Sequence, residues 1–130
     1  MILLNTKYCD TTFSYIQTID EIKHTKEYDI IYFLFDEKLC LYAKNNDLSY
    51  MVVAKSIKEC ILANELGARY ILLKNTNSHS INNKILKRYM KVAQNYLFDS
   101  KIIFEIDSLD EIDKIATSNI DGIYLKTDIC

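Results

Sequence analysis

Apolar and polar positions alternate along this chain in blocks. A short apolar run is followed by a polar break, then by a stretch with apolar positions three and four apart, then by a turn and another apolar run. The runs "YFLF" from Tyr32, "YMVVA" from Tyr50, "YILL" from Tyr70, "KIIFEI" from Lys101 and "IYL" from Ile123 are mostly continuous rather than alternating. Continuous runs suit strands of a parallel sheet buried on both faces. "TTFSYIQ", Thr11 to Gln17, alternates more and reads as a first strand, while "MILL" is a further edge strand or a tucked terminus.

The polar breaks share a form. "TIDEI" from Thr18, "SIKEC" from Ser56 and "SLDEI" from Ser108 each place a hydroxyl residue three positions before a glutamate. That is the signature of a capping box, in which the hydroxyl accepts from an orphan N–H and the glutamate reaches back. Asp36 in "DEKLC" is a fourth N-cap without the reciprocal glutamate. Thr18 to Tyr32, Asp36 to Tyr50 and Ser56 to Tyr70 are each fourteen residues, and Ser108 to Tyr124 is sixteen. The unit is strand, polar cap, helix, turn, strand. A longer helix is expected in "SINNKILKRYMKVAQNYLF", where Ile81, Ile85, Tyr89, Val92 and Tyr96 form a stripe with Leu86, Ala93 and Leu97 beside it. Gly67 falls just past the helix expected over 57–66, where a left-handed residue is favoured, and Asp121-Gly122 is assigned a similar job before the last strand.

Repeated βα units imply an α/β protein with right-handed crossovers. The expectation is an open, mostly parallel sheet of five to six strands with helices on both faces. The alternative is a part-barrel completed by dimerisation. The 130 residues suit a single α/β domain, 1–130.

Composition narrows the function more than it names it. Sixteen basic and eighteen acidic residues are interspersed, for a net charge of −2. No basic stripe marks a nucleic-acid binder. The longest strongly apolar run, "IIYFLF", is too short to span a bilayer, and "MILLN" is not a signal peptide, so a soluble cytoplasmic protein without a membrane partner is expected. Cys9, Cys40, Cys60 and Cys130 form no C-x-x-C pair and read as free structural thiols. No cofactor and no metal site is expected. The histidines His24 and His79 are assigned to a helix end and a solvated loop.

In open parallel α/β sheets, ligands sit outside the carboxyl ends of the strands. The residues there are those just before the helix caps: Gln17, Asp36, Lys55, Lys74 with Asn75, Asp107, and Lys126 with Thr127 and Asp128. Lysines supply point charges for an anion, and helix N-termini supply N–H groups. The candidate ligand-binding set is Lys55, Ser56, Lys74, Asn75, Asp107, Ser108, Lys126 and Thr127. In "FEID", Glu105 and Asp107 lie two apart and share one strand face. The sequence contains no phosphate loop of the G-x-x-x-x-G-K-[ST] type, no G-x-G-x-x-G and no G-x-S-x-G.

The units "SIKECILANELGARYILLKN" and "SLDEIDKIATSNIDGIYLKTD" resemble the βα units of phosphate-binding (β/α)8 barrels. The second is similar to the closing segment of glycerophosphodiester phosphodiesterases. Those enzymes use an early His-Arg pair, which this chain lacks, so no catalytic residue is carried over. "IYLKTD" is similar to the last strand of response-regulator receivers. A receiver needs an aspartate at the end of a middle strand, where this chain has Lys55 and Lys74, so that reading fails. As a whole the chain is similar to small bacterial α/β proteins, a likeness that implies a fold and no activity.

Three functions fit. The first is a non-catalytic module that binds an anionic, phosphorylated metabolite or a protein partner at the carboxyl edge. The second is a small enzyme acting on a phosphorylated compound, with Asp107 or Glu105 as base and a lysine as clamp. The third is a structural self-assembly subunit, with a homodimer as its simplest form.

Overall fold

In a computed structural model, residues 1–74 and 82–126 are described. Seven strands form one all-parallel sheet: β1 (Ile2–Leu4), β2 (Phe13–Tyr15), β3 (Ile30–Leu34), β4 (Tyr50–Val53), β5 (Tyr70–Leu73), β6 (Lys101–Ile106) and β7 (Gly122–Leu125). The spatial order is β1-β7-β6-β5-β4-β3-β2. Strands β2 to β7 therefore lie in chain order, and β1 is added outside β7. The helices are α1 (Ile19–Ile22), α2 (Glu37–Asn45), α3 (Ile57–Glu65), α4 (Asn83–Asn95) and α5 (Ile112–Ile115).

Sequential order decides where the helices go. Right-handed crossovers that always step in one direction place every helix on the same face. The packing agrees: Ile22, Leu39, Cys40, Ala43, Cys60, Ala63, Leu86, Met90 and Ile115 all join one core cluster with Phe33, Val52, Ile71 and Ile102. The second cluster contains no helical residue. It joins Leu4, Ile30, Met51, Val53, Tyr70, Leu72, Ile103 and Tyr124 from six strands. The expectation of helices on both faces is thus overturned. The open face is buried because the sheet curls onto itself.

The curl is severe. In a flat sheet, β7 and β2 would lie about 24 Å apart, five strand spacings of about 4.8 Å. Yet the Phe13 ring on β2 meets the Tyr124 ring on β7 at 5.4 Å, edge to face. Tyr32 on β3 lies 6.1 Å from the same ring. The sheet is a part-barrel with a convex, helix-covered face and a concave face packed against itself.

Two edges remain, β1 and β2. Residues 5–12 must return from the carboxyl end of β1 to the amino end of β2. Cys9 in this connection packs against the concave cluster. The strand count exceeds the five to six expected because "MILL" does form an edge strand, in register with β7. Gly122 makes that possible: a Cβ there would sit 2.5 Å from the Ile2 carbonyl oxygen and 2.6 Å from the Ile2 Cβ. Its role is close approach rather than the turn expected of it. The left-handed residue before β7 is Asn119, at φ 63°. Gly67 is left-handed, at φ +93°, as its place after α3 suggests.

Local rules hold elsewhere with three differences. Of the capping boxes expected at Thr18, Ser56 and Ser108, all three hydroxyls cap, but only Ser108 has the full reciprocal pair. In α4 the buried stripe is Leu86, Met90 and Ala93, while Tyr96 is 66% exposed and Leu97 lies past the helix in a left-handed turn. The expected stripe ran too far toward Tyr96 and omitted Met90. The longer fourth interval, Ser108 to Tyr124, is filled by α5 flanked by 3-10 turns over Leu109–Glu111 and Ala116–Ser118. Among the described residues no helix is long and apolar enough to cross a membrane.

Candidate functional site

The carboxyl ends of the strands form the mouth of the curled sheet. A repeated two-residue step governs what lines it. Ile16, Ala54, Leu73 and Ile106 belong to the convex cluster, and Phe35 and Leu125 pack against it. The next residues are Gln17, Lys55, Lys74, Asp107, Asp36 and Lys126. Because strand side chains alternate between faces, these rim positions fall on the concave side. Asp36 is diverted: its carboxylate accepts from the Leu39 N–H at 3.1 Å and caps α2.

Register brings the charged positions into one row. Val53 pairs with Leu72, Leu73 with Phe104, and Glu105 with Tyr124. Continuing these ladders, two residues past the first pair Lys55 stands beside Lys74, and one residue past the second Lys74 stands beside Glu105. The Lys74 Nζ lies 3.9 Å from a Glu105 carboxylate oxygen. The Glu105 side chain is only 10% exposed, against 41% for Lys74. A carboxylate so enclosed needs a positive or hydrogen-bonding partner, and at 3.9 Å the ammonium provides charge but not a hydrogen bond. Beyond Glu105, burial pushes the Tyr124 phenol above its ordinary range, helped by the Tyr32 hydroxyl beside it and by the Glu105 charge. Tyr124 therefore stays a neutral proton donor near neutral pH.

The opposite wall is aromatic. Tyr15 and Tyr32 are cross-strand partners on β2 and β3, with ring centroids 5.3 Å apart. Tyr32 meets Tyr124, and Tyr124 meets Phe13. Tyr15 and Leu34, nearest the mouth on this side, are 42% and 43% exposed.

The sequence-derived candidates separate into groups. Lys55, Lys74, Asp107 and Lys126 share the concave rim, and Lys126 is tied to β6 through its N–H, which donates to the Ile106 carbonyl at 2.8 Å. Ser56 and Ser108 act as caps. Ser56 Oγ accepts from the Glu59 N–H at 3.2 Å, and the Glu59 carboxylate accepts from the Lys55 N–H at 2.8 Å. Ser108 completes a full capping box, with Glu111 accepting from the N–H groups of Asp107 and Ser108 at 2.8 and 2.9 Å. At these two helix starts the chain's own glutamates occupy the positive end, so there the anion-binding capacity rests on lysine side chains. Asn75 and Thr127, with Asp128 and His79, lie outside the described residues.

The sequence offers Glu105 as half of a carboxylate pair and as a candidate base, and does not point to Tyr15, Tyr32 or Tyr124 as site residues. A signal existed. Counting back two from each rim residue gives the next concave position: Tyr15 from Gln17, Glu105 from Asp107, Tyr124 from Lys126. It could be used only once the concave face was known.

His24 lines an open cavity of about 430 Å³ with Ser14, Tyr15, Glu21, Lys26 and Asp29, at the β2 edge. Asp29 there accepts from Ser14 Oγ at 2.6 Å and from the Thr12 hydroxyl, bonds that hold its carboxyl below the usual range. These bonds stitch β2 to β3 and leave Asp29 spoken for. Among the described residues no group of three or more His, Cys, Asp or Glu gathers to hold a metal ion. Cys9, Cys40 and Cys60 carry free thiols. Compared with known proteins, the chain matches no family model, and no curated protein is significantly similar to it.

Proposed function

We propose that the protein binds a small anionic, phosphorylated metabolite at the mouth of its curled sheet. The observation that supports this best is the row Lys55, Lys74, Glu105 across three adjacent strands, with Lys126 on the same rim. Two lysine ammoniums suit the anionic group, and the enclosed Glu105 carboxylate suits a hydroxyl or amine donor on the same molecule. The mixed signs favour a polar ligand over a bare polyanion.

The test is an amide NMR titration with inorganic phosphate and a panel of sugar phosphates, on wild type and on Lys55→Ala, Lys74→Ala and Lys126→Ala. Losing one charge-assisted contact costs about 1.5–3 kcal/mol, roughly ten- to a hundredfold in affinity. Lys74→Ala should fall in that range. If no rim amide shifts at millimolar ligand, the proposal is wrong.

A second reading has its own support. Glu105 and the protonated Tyr124 face each other in register, an acceptor and a donor of protons within one row. An enzyme that moves a proton on a phosphorylated carbonyl compound would need such a pair. Solvent deuterium exchange into phosphorylated ketones, abolished by Glu105→Gln while binding persists, would identify it.

A further inference from the structure

We infer that the ligand of this mouth carries a flat, unsaturated ring beside its anionic group. This rests on the anion reading above and goes beyond it, because it draws on the other wall. The mouth has two unlike sides. Across β4, β5 and β6 the rim is charged, with Lys55, Lys74 and Glu105. Across β2 and β3 it presents Tyr15, Tyr32 and Leu34.

The apolar side is not spent on the core. Tyr15 is 42% exposed and Leu34 43%, although both sit on the concave face whose deeper positions, Met51 and Leu72, are 0% exposed. Tyr15 is tilted against Tyr32 at 5.3 Å, and Tyr32 against Tyr124 at 6.1 Å, so the rings support one another from the lip down to the row that holds Glu105. An aromatic wall pre-ordered in this way offers a ring a surface at low entropic cost. Charge complementarity selects the occupant. A ring lying on Tyr15 and Tyr32 would direct its anionic substituent across the mouth to Lys74 and Lys55. An aryl or heterocyclic phosphate has that shape, and an aliphatic chain would use the charge but not the rings.

The experiment compares phenyl phosphate, hexyl phosphate and inorganic phosphate by calorimetry on the full chain, with Tyr15→Leu, Tyr32→Leu and Lys74→Ala. Tyr15→Leu opens no core cavity, and circular dichroism checks that each variant is folded. Aromatic pairing is worth about 0.5–1.5 kcal/mol beyond area burial, so phenyl phosphate should bind about two- to tenfold more tightly than hexyl phosphate. Tyr15→Leu should erase that preference and leave hexyl phosphate unchanged, while Lys74→Ala should weaken all three. Equal affinities for phenyl and hexyl phosphate overturn the ring inference and leave the anion reading standing. No binding of any phosphate removes both. A dimer by light scattering whose formation quenches exchange at Tyr15 and Leu34 would also overturn it, since a second copy would then be what covers the aromatic wall.

Discussion

The two faces of this sheet are made from the same strands and behave differently. Among the described residues the convex face meets five helices and is apolar from Ile31 and Phe33 to Ile106 and Ile123, with Ser14 on the edge strand β2 as its polar exception. Among the described residues the concave face meets no helix and packs against itself and Cys9. At its foot it is as dry as the other, with Met51, Leu72 and Ile103 fully buried. Toward the mouth it changes character, and tyrosines, a glutamate and lysines replace the aliphatic residues. A sheet face covered by helices must be apolar to its end, because each helix contributes a full stripe. Among the described residues no helix covers the rim of the face closed by curling. That is where polar chemistry is tolerated, and where the lysines, Glu105 and the tyrosine ladder collect.

The largest test of this contrast is a pair of truncations on neighbouring residues of β3. Phe33, 1% exposed, stacks on Tyr50 at 5.6 Å on the convex face. Phe33→Ala should cost about 3–5 kcal/mol in urea unfolding. Tyr32→Ala, on the concave face near the mouth, should cost less than half of that. A reversal would break the comparison.

Next in size is Gly122→Ala. The added Cβ would collide with the Ile2 carbonyl oxygen at 2.5 Å, backbone that a side-chain rotation cannot relieve. We expect about 1–3 kcal/mol of destabilisation, read as faster amide exchange across Ile2–Leu4 with α3 and α4 unaffected. Uniform loss of protection would mean that β1 is not a separable edge.

The convex face also sets an alkaline limit. Burial raises the Cys40 thiol to about 11 and the Cys60 thiol to about 12, from 9.0. Above pH 9 the unfolded chain releases these protons and the folded chain does not. Stability is therefore complete below pH 9 and falls as pH rises toward the folded values. Each thiol should account for about 1 kcal/mol at pH 10. Cys40→Ala with Cys60→Ala should lose some packing but flatten this limb between pH 9 and 10. An unchanged slope would show that the thiols are not held neutral.

The smallest effect belongs to the mouth. Lys74 is 41% exposed and its contact with Glu105 is long, so Lys74→Ala should change stability by less than about 1 kcal/mol. Glu105→Gln should be as mild in unfolding, yet alter ligand affinity. A large loss of stability in either would make the pair part of the scaffold.

Much of the fold was legible in the chain because its rules are local. The caps at Thr18, Asp36, Ser56 and Ser108 form where the polar breaks stand, since each side chain reaches an N–H two or three residues away. The strand runs, the α/β class and the parallel pairing follow from the same block pattern. The rim was legible too: Lys55, Lys74, Asp107 and Lys126 stand just past the apolar runs that form β4, β5, β6 and β7.

Strand order was not legible, because any order satisfies the same continuous apolar runs. Order decides the rest. Sequential order puts all helices on one side, leaves the other face bare, and drives the curl that brings Phe13 within 5.4 Å of Tyr124 across the interior. That closure turned Glu105 from a strand-end carboxylate into one 10% exposed, and set it between Lys74 and Tyr124. The block pattern along the chain thus determined the elements and their polar ends. Only the tertiary structure decided which ends face one another, because the curl joins residues that the chain holds far apart.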